Sequence, residues 1–195
     1  MKSITPVRLF AALAGALALP AVVHAHAGSS IVYDCASGIA HPFQGWDHFA
    51  AMLAVGVWAA QLGGRARWLV PSAFVTVMTC AAAIGSRGFA FPGVEPMIAT
   101  SVLALGVLIA AAARIPLAAS VTLVSFFAAV HGFAHGTEMP ANAGAVSYPT
   151  GFVLATAALH ILGLGLGHFA LSRSQRLARA LGAVCTAAGA ALLFT

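Results

Sequence analysis

Apolar stretches of membrane-spanning length recur along the chain, separated by short interruptions rich in glycine, proline and charge. A span needs about 20 predominantly apolar residues, and the pattern predicts helices over 46–63, 67–86, 94–113, 116–136, 147–170 and 176–194. The interruptions agree with these cuts. Gly63-Gly64, the stretch from Gly88 to Gly93 with Pro92, Pro116 at a helix start, and the loop from Pro140 to Gly144 all break helical periodicity. No soluble domain fits between the predicted helices. Ahead of them, Lys2 and Arg8 precede an apolar run from Leu9 to Val23 and the small-residue sequence Ala25-His26-Ala27, the arrangement of a secretory signal peptide. Cleavage is expected after Ala25, with Ala27 the alternative. The competing reading, an uncleaved first membrane helix, suffers from the shortness of the run. The expected fold is all-α: a polytopic membrane protein with a leader over 1–25 and a six-helix transmembrane domain over 26–195.

Composition excludes an ordinary soluble domain. Of 195 residues, 61% are hydrophobic and only 7% charged, against roughly 25% charged in soluble domains. The mean hydropathy is +0.98, so the chain cannot cover a surface that faces water. A net charge of +5 would suit nucleic acid only if the basic residues formed a stripe, and here they are scattered among apolar blocks. Cys35, Cys80 and Cys185 lie far apart and form neither a disulfide framework nor a CxxC metal motif.

The basic residues carry topology instead. With the mature N-terminus outside, the inner loops hold Arg65, Arg67, Arg114, Arg173, Arg176 and Arg179, and the outer loops only Arg87, the bias expected of a cytoplasmic face. The same assignment puts every acidic residue, Asp34, Asp47, Glu95 and Glu138, in outer loops or at outer helix ends. Those acids face the side from which a cation would arrive.

Two clusters carry candidate chemistry. In the first, His41-Pro42-Phe43-Gln44-Gly45-Trp46-Asp47-His48, a turn-forming stretch feeds the first predicted helix and brings together two imidazoles and a carboxylate. Asp47 fits both a helix-start carboxylate and a ligand; His41 and His48 have no capping role. In the second, His131-Gly132-Phe133-Ala134-His135-Gly136-Thr137-Glu138, spacings of i, i+4 and i+7 put His131, His135 and Glu138 on one helical face. Neutral imidazole nitrogens with carboxylate oxygens suit nickel, cobalt or zinc, whereas magnesium and calcium take oxygen-rich sites. Ionisable groups cost about 2.5 kcal/mol or more each at the bilayer centre and mark ion pathways. Two further residues are secondary candidates. Glu95 opens the third helix and fits a ligand, an acceptor for a ligand's proton or a plain helix-start carboxylate; His160, mid-span with Thr156 one turn before and His168 two turns after, fits a relay toward the cytoplasm or a helix-to-helix hydrogen bond. Met52, Met78, Met97 and Met139 share no face, which argues against a thioether copper path.

At these residues the chain resembles the HupE/UreJ family of bacterial nickel and cobalt permeases. The resemblance rests on His41-x5-Asp47-His48 paired with His131 through Glu138, and extends to the Gly63-Gly64 loop and the Tyr148 to His160 stretch. It implies a signal peptide, six membrane helices in the inner membrane with a periplasmic mature N-terminus, and uptake of nickel, or sometimes cobalt, as a transported substrate with no resident cofactor. His41, Asp47, His48, His131, His135 and Glu138 match the positions that the family motifs mark for metal recognition. One departure is Val130, where phenylalanine is expected before the histidine, a change of packing more than of coordination.

Transport needs a site that binds well enough to select and weakly enough to release, so three or four ligands at once are expected, not six. No Walker motif is present. The rival class is an intramembrane zinc-dependent hydrolase, in which histidines and a carboxylate hold a zinc ion that activates water; the chain lacks HExxH. A haem subunit would need a mid-span partner for His160 and ranks last.

Overall fold

The computed structural model describes residues 33–89 and 92–194. The leader expected over 1–25 lies outside them. The described residues form seven α-helices: α1 (Cys35–Ala40), α2 (Trp46–Leu62), α3 (Ala66–Gly85), α4 (Val94–Ala110), α5 (Leu117–Thr137), α6 (Ser147–Arg173) and α7 (Gln175–Leu192), with a 3-10 turn at His41–Phe43 between α1 and α2. Among these residues there is no strand, only one isolated bridge between Tyr33 and Ala143. Helices α2 to α7 fall within a few residues of the six predicted segments, because glycine and proline end them where the pattern breaks.

Helix α1 is the addition. Its six residues are too few for a periodic signal, and they are stabilised by a capping box: Asp34 Oδ1 accepts from the Ala36 and Ser37 amides at 2.9 and 3.2 Å, while Ser37 Oγ accepts from the Asp34 amide at 2.7 Å. The Ser37 amide and hydroxyl hold the exposed Asp34 carboxyl below its ordinary range.

Helices α3, α5 and α6, of 20, 21 and 27 residues, are long and apolar enough to cross a membrane; α4 is apolar but has 17. Burial runs in the sense of a membrane protein. His48, Gln61, Ser101, His131, His135, Thr156 and His160 are inside, whereas Trp46, Trp68, Phe126, Ile161 and Val184 are each more than half exposed. A soluble fold would bury the second group against water.

The close helix pairs are α3 with α5, α2 with α6, and α4 with α7. Each is made possible by glycine, as in membrane helix packing generally. A Cβ on Gly132 would collide with the Met78 carbonyl and one on Gly136 with the Ala82 carbonyl, so the backbones of α3 and α5 touch where the second histidine cluster lies. Exchanging the halves α2-α3-α4 and α5-α6-α7 maps the first pair onto the second and the third onto itself, the pattern of a two-fold repeat. The match is partial: α2 packs on α3 and α4, and α6 on α7, with no equally close contact between α5 and α6, α5 and α7, or α3 and α4. Between the pairs lies a core of Met52, Val55, Trp58, Phe74, Met78, Leu105, Ile109, Phe127 and Leu159.

Candidate metal site

The N-terminal ends of α2 and α4 and the C-terminal end of α5 meet at one end of the bundle around a cavity of about 300 Å³ lined by His41, Gln44, Gly45, Asp47, His48, Glu95, His135 and Glu138. The two sequence clusters are therefore one site. The 3-10 turn swings His41 over α5, where its Nε2 lies 2.9 Å from His135 Nδ1, a contact across 94 residues of chain. At the opposite end of α2, the Trp58 indole and Gln61 amide donate to the Ala113 and Ile109 carbonyls, so α2 and α4 run side by side in the same direction.

The ligand-type atoms fall into two groups that share His135. The inner group is His48, His131 and His135, buried at all three positions, with one ligand atom from each lying within 4.8 Å of the others. The outer group is His41, His135 and Glu138: Glu138 Oε2 stands 3.4 Å from His41 Nε2 and 3.7 Å from His135 Nδ1, and the Glu138 side chain is 43% exposed. Helical spacing puts His131, His135 and Glu138 on one face of α5, as predicted, with Glu138 just beyond the helix end.

Hydrogen bonds fix two of the inner rings. His48 Nδ1–H donates to Asp47 Oδ1 at 2.7 Å, since a carboxylate only accepts, and Nε2 is the nitrogen left without a partner. Asp47 Oδ1 also accepts from the His48 amide at 2.7 Å. Asp47 therefore holds the His48 ring in place, and it lines the cavity as well. His131 is held by Ser101, whose hydroxyl donates to the Ile98 carbonyl at 2.7 Å and accepts from His131 Nε2–H at 2.9 Å, which leaves Nδ1 bare. Among the described residues, five buried side-chain nitrogen or oxygen atoms have no hydrogen-bond partner, and four are imidazole nitrogens: His48 Nε2, His131 Nδ1, His135 Nε2 and His160 Nε2. A buried polar atom left unpaired costs about 1–3 kcal/mol. Three of these atoms belong to the three rings of the inner group.

Ring contacts complete the walls. His48 packs on His131 and His135 with centroids 5.0 and 4.2 Å apart, and Phe152 of α6 covers His135 at 4.2 Å. Of the secondary candidates, Glu95 lines the cavity, whereas His160 lies apart, its Nδ1–H donating to the Met52 carbonyl at 2.8 Å. His168 is exposed and stands outside any cluster with His160. Val130 packs with Ile98 and Ala134 in a small apolar cluster, a packing position as expected.

In the sequence Ser101 stands out only as a polar residue in an otherwise apolar helix, following Glu95. Its partner, 30 residues away, leaves no trace there. Phe74, between His131 and His160, carries no polar atom and gives no sequence signal at all.

The class this architecture defines is an all-helical membrane protein with a histidine and carboxylate cluster at one end of its bundle. The family model described as HupE / UreJ protein matches residues 12–192, and the chain belongs to that family. It is 46% identical over 179 residues to Protein HupE of Rhizobium leguminosarum bv. viciae, covering 91% of this chain and 93% of that relative. No solved structure matches the chain.

Proposed function

We propose that the protein is a secondary transporter that takes up divalent nickel, or cobalt, across the bacterial inner membrane, and that the histidine and carboxylate cluster is its periplasmic entry site. The observation that carries this is the meeting of three buried imidazole rings, each with one unpartnered nitrogen, beside a carboxylate-lined cavity. Imidazole with carboxylate selects nickel, cobalt or zinc over magnesium and calcium. All six long helices span in this reading, with Arg65, Arg67, Arg114, Arg173, Arg176 and Arg179 on the cytoplasmic side. After cleavage of the leader the mature N-terminus is periplasmic.

Glu138, His41 and Glu95 draw the hydrated ion into the mouth, and His41 Nε2, His135 Nδ1 and Glu138 Oε2 begin to replace its water. His135 then passes it on. Its Nδ1 faces the outer group, its Nε2 is unpartnered, and a shift of the ring proton between the two exchanges which nitrogen is bare. In the inner group, ligand atoms on one tetrahedral ion stand about 3.4 Å apart, given metal–nitrogen bonds of 2.0–2.1 Å. Rotations of order an ångström bring the three onto one ion. Three ligands and a partly dehydrated ion meet the need for release. A membrane potential of ~100 mV supplies about 2.3 kcal/mol per charge, hence about 4.6 kcal/mol for a divalent cation moving inward.

The test is uptake of radioactive nickel and cobalt by cells expressing the wild type, His48→Ala or His135→Ala at matched membrane levels. Uptake by the wild type that both variants lose is expected. Absence of uptake by the wild type, with zinc copurifying stoichiometrically, would overturn transport in favour of a metal-dependent hydrolase. Protons compete with the metal for imidazole, so uptake is expected to fall below about pH 6 and to be retained above it.

A further inference from the structure

Arg65, Arg67, Arg114, Arg173, Arg176 and Arg179 lie at the end of the bundle opposite the metal site. Among the described residues none of them makes an ion pair with a carboxylate, and the ion pairs that do form are at the metal site. The positive charge of this end is left for something outside the chain to complement.

Arg67 differs from the others in standing at the mouth of a groove. There α3 and α6 part to leave a recess of about 360 Å³, which runs from Arg67 and Trp68 past Ser72 to Thr76 on α3, with Ala157 and Ile161 of α6 opposite. Trp68 and Ile161 are each more than half exposed, so the groove opens on the outward face of the bundle. Its lining is almost wholly apolar beyond the basic end. Such a lining suits an amphipathic molecule with an anionic head, not a cation.

Three details near the mouth agree. Arg67 Nε donates to the Gly64 carbonyl at 3.2 Å, which anchors the guanidinium and leaves its two terminal nitrogens for the oxygens of a phosphate. Pro71 has no amide hydrogen, so the Arg67 carbonyl lacks its helical partner. The Ser72 hydroxyl makes no hydrogen bond among the described residues, whereas Thr79 on the same helix turns its hydroxyl back on the Val75 carbonyl at 2.7 Å. Spacing fits as well. Ser72 lies about 7.5 Å along the helix axis from Arg67, and the polar layer of one leaflet is roughly 5–7 Å deep. A phosphate on Arg67 therefore brings the ester carbonyls of a phospholipid to the level of Ser72.

We propose that this groove seats one anionic phospholipid of the leaflet on the side opposite the metal site. Its phosphate pairs with Arg67, an ester carbonyl accepts from the Ser72 hydroxyl, a headgroup hydroxyl donates to the Arg67 carbonyl, and the first part of an acyl chain lies between α3 and α6. Basic pockets between membrane helices recognise anionic headgroups in this way. A choline headgroup would bring its own cation to a mouth that holds Arg67 and Arg65 and no paired carboxylate. The bound lipid covers the flank of His160 and joins α3 to α6 on that side, adding to their direct contact where the Thr156 hydroxyl meets Met78 sulfur. The site is independent of which ion the protein carries.

The test is native mass spectrometry of the full chain, purified in detergent and titrated with phosphatidylglycerol or phosphatidylcholine of the same acyl chains. Wild type, Arg67→Ala, Arg67→Lys, Ala157→Phe and Arg176→Ala are compared, with folding checked by circular dichroism. The wild type is expected to retain one phosphatidylglycerol about fivefold or more tightly than phosphatidylcholine, the effect of one arginine near an anionic surface. Arg67→Ala should remove that preference and Arg67→Lys restore most of it. Ala157→Phe fills the groove below the headgroup and should lose the lipid with every arginine in place. Arg176→Ala, on a helix that does not line the groove, should bind as the wild type does. Equal retention of the two lipids by the wild type would overturn the proposal. So would equal losses in Arg67→Ala and Arg176→Ala, which would make the attraction a property of the whole basic end, or undiminished retention by a folded Ala157→Phe. A second copy of the chain retained in place of lipid would overturn it in favour of a dimer contact. Should Ala157→Phe fail to fold, the arginine variants decide alone.

Discussion

The inner group, His48, His131 and His135, is buried throughout, and two of its rings are held by hydrogen bonds to Asp47 and Ser101. The outer group shares His135 but adds a half-buried His41 and a Glu138 that is 43% exposed, and its atoms are tied mainly to one another, at 2.9 to 3.7 Å. One group is buried and preorganised; the other is more exposed and includes a carboxylate. Burial strengthens each interaction and raises the cost of a misplaced ligand, whereas exposure screens charge and permits rearrangement. Under the proposed transport function, this difference suits the outer group to capture and the inner one to selection.

His135 belongs to both, so His135→Ala should abolish the distinction. Nickel affinity of the purified protein is expected to drop by about a hundredfold or more, beyond the 10–100-fold typical of losing a residue behind the ligands. Isothermal titration would read it; retention of affinity within a few-fold would remove His135 from both groups. Next in size, Asp47→Ala should weaken binding by about 10–100-fold by freeing the His48 ring. Asp47→Asn should recover much of that, because its amide oxygen still accepts from Nδ1–H. If Asn were as damaging as Ala, the carboxylate charge rather than ring orientation would be what matters.

Ser101→Ala tests the other held ring. It strands His131 Nε2–H in a buried place, at about 1–3 kcal/mol of stability, and should lower affinity by roughly tenfold. A thermal-shift assay with and without nickel separates the two effects. The smallest change is expected from Glu138→Gln, where an exposed charge contributes about 0.2–1 kcal/mol, or up to roughly fivefold in affinity at low salt. Its effect should vanish as ionic strength rises, whereas that of Asp47→Ala should persist. Equal salt dependence in the two variants would erase the division between an outer and an inner group.

Much of this architecture is legible along the chain. Helices α2 to α7 follow from runs of apolar residues cut by glycine and proline, and the six metal-type residues are recognisable from two short motifs. Glu95 is ambiguous in the sequence because a helix-start carboxylate looks alike with or without a partner; the fold turns it toward the cavity. Asp47 is readable as a ligand or a helix-start residue, and the structure adds its hydrogen bond to His48 Nδ1, a contact that depends on the His48 rotamer. Helix α1 escapes detection because six residues held by one capping box leave no periodic trace.

What the sequence by itself determined are the local properties: an all-helical, membrane-suited chain, where its helices begin and end, and that His131, His135 and Glu138 share a face. Those follow from hydrophobic periodicity and backbone geometry, which act over a few residues. Only the tertiary structure decided that His41 meets His135, that Ser101 meets His131, and that Phe74 stands between His131 and His160. These meetings join residues 30 to 94 positions apart or lie across different helices. They depend on how closely glycine lets the helices approach, a property of helix pairs that no single stretch of sequence contains.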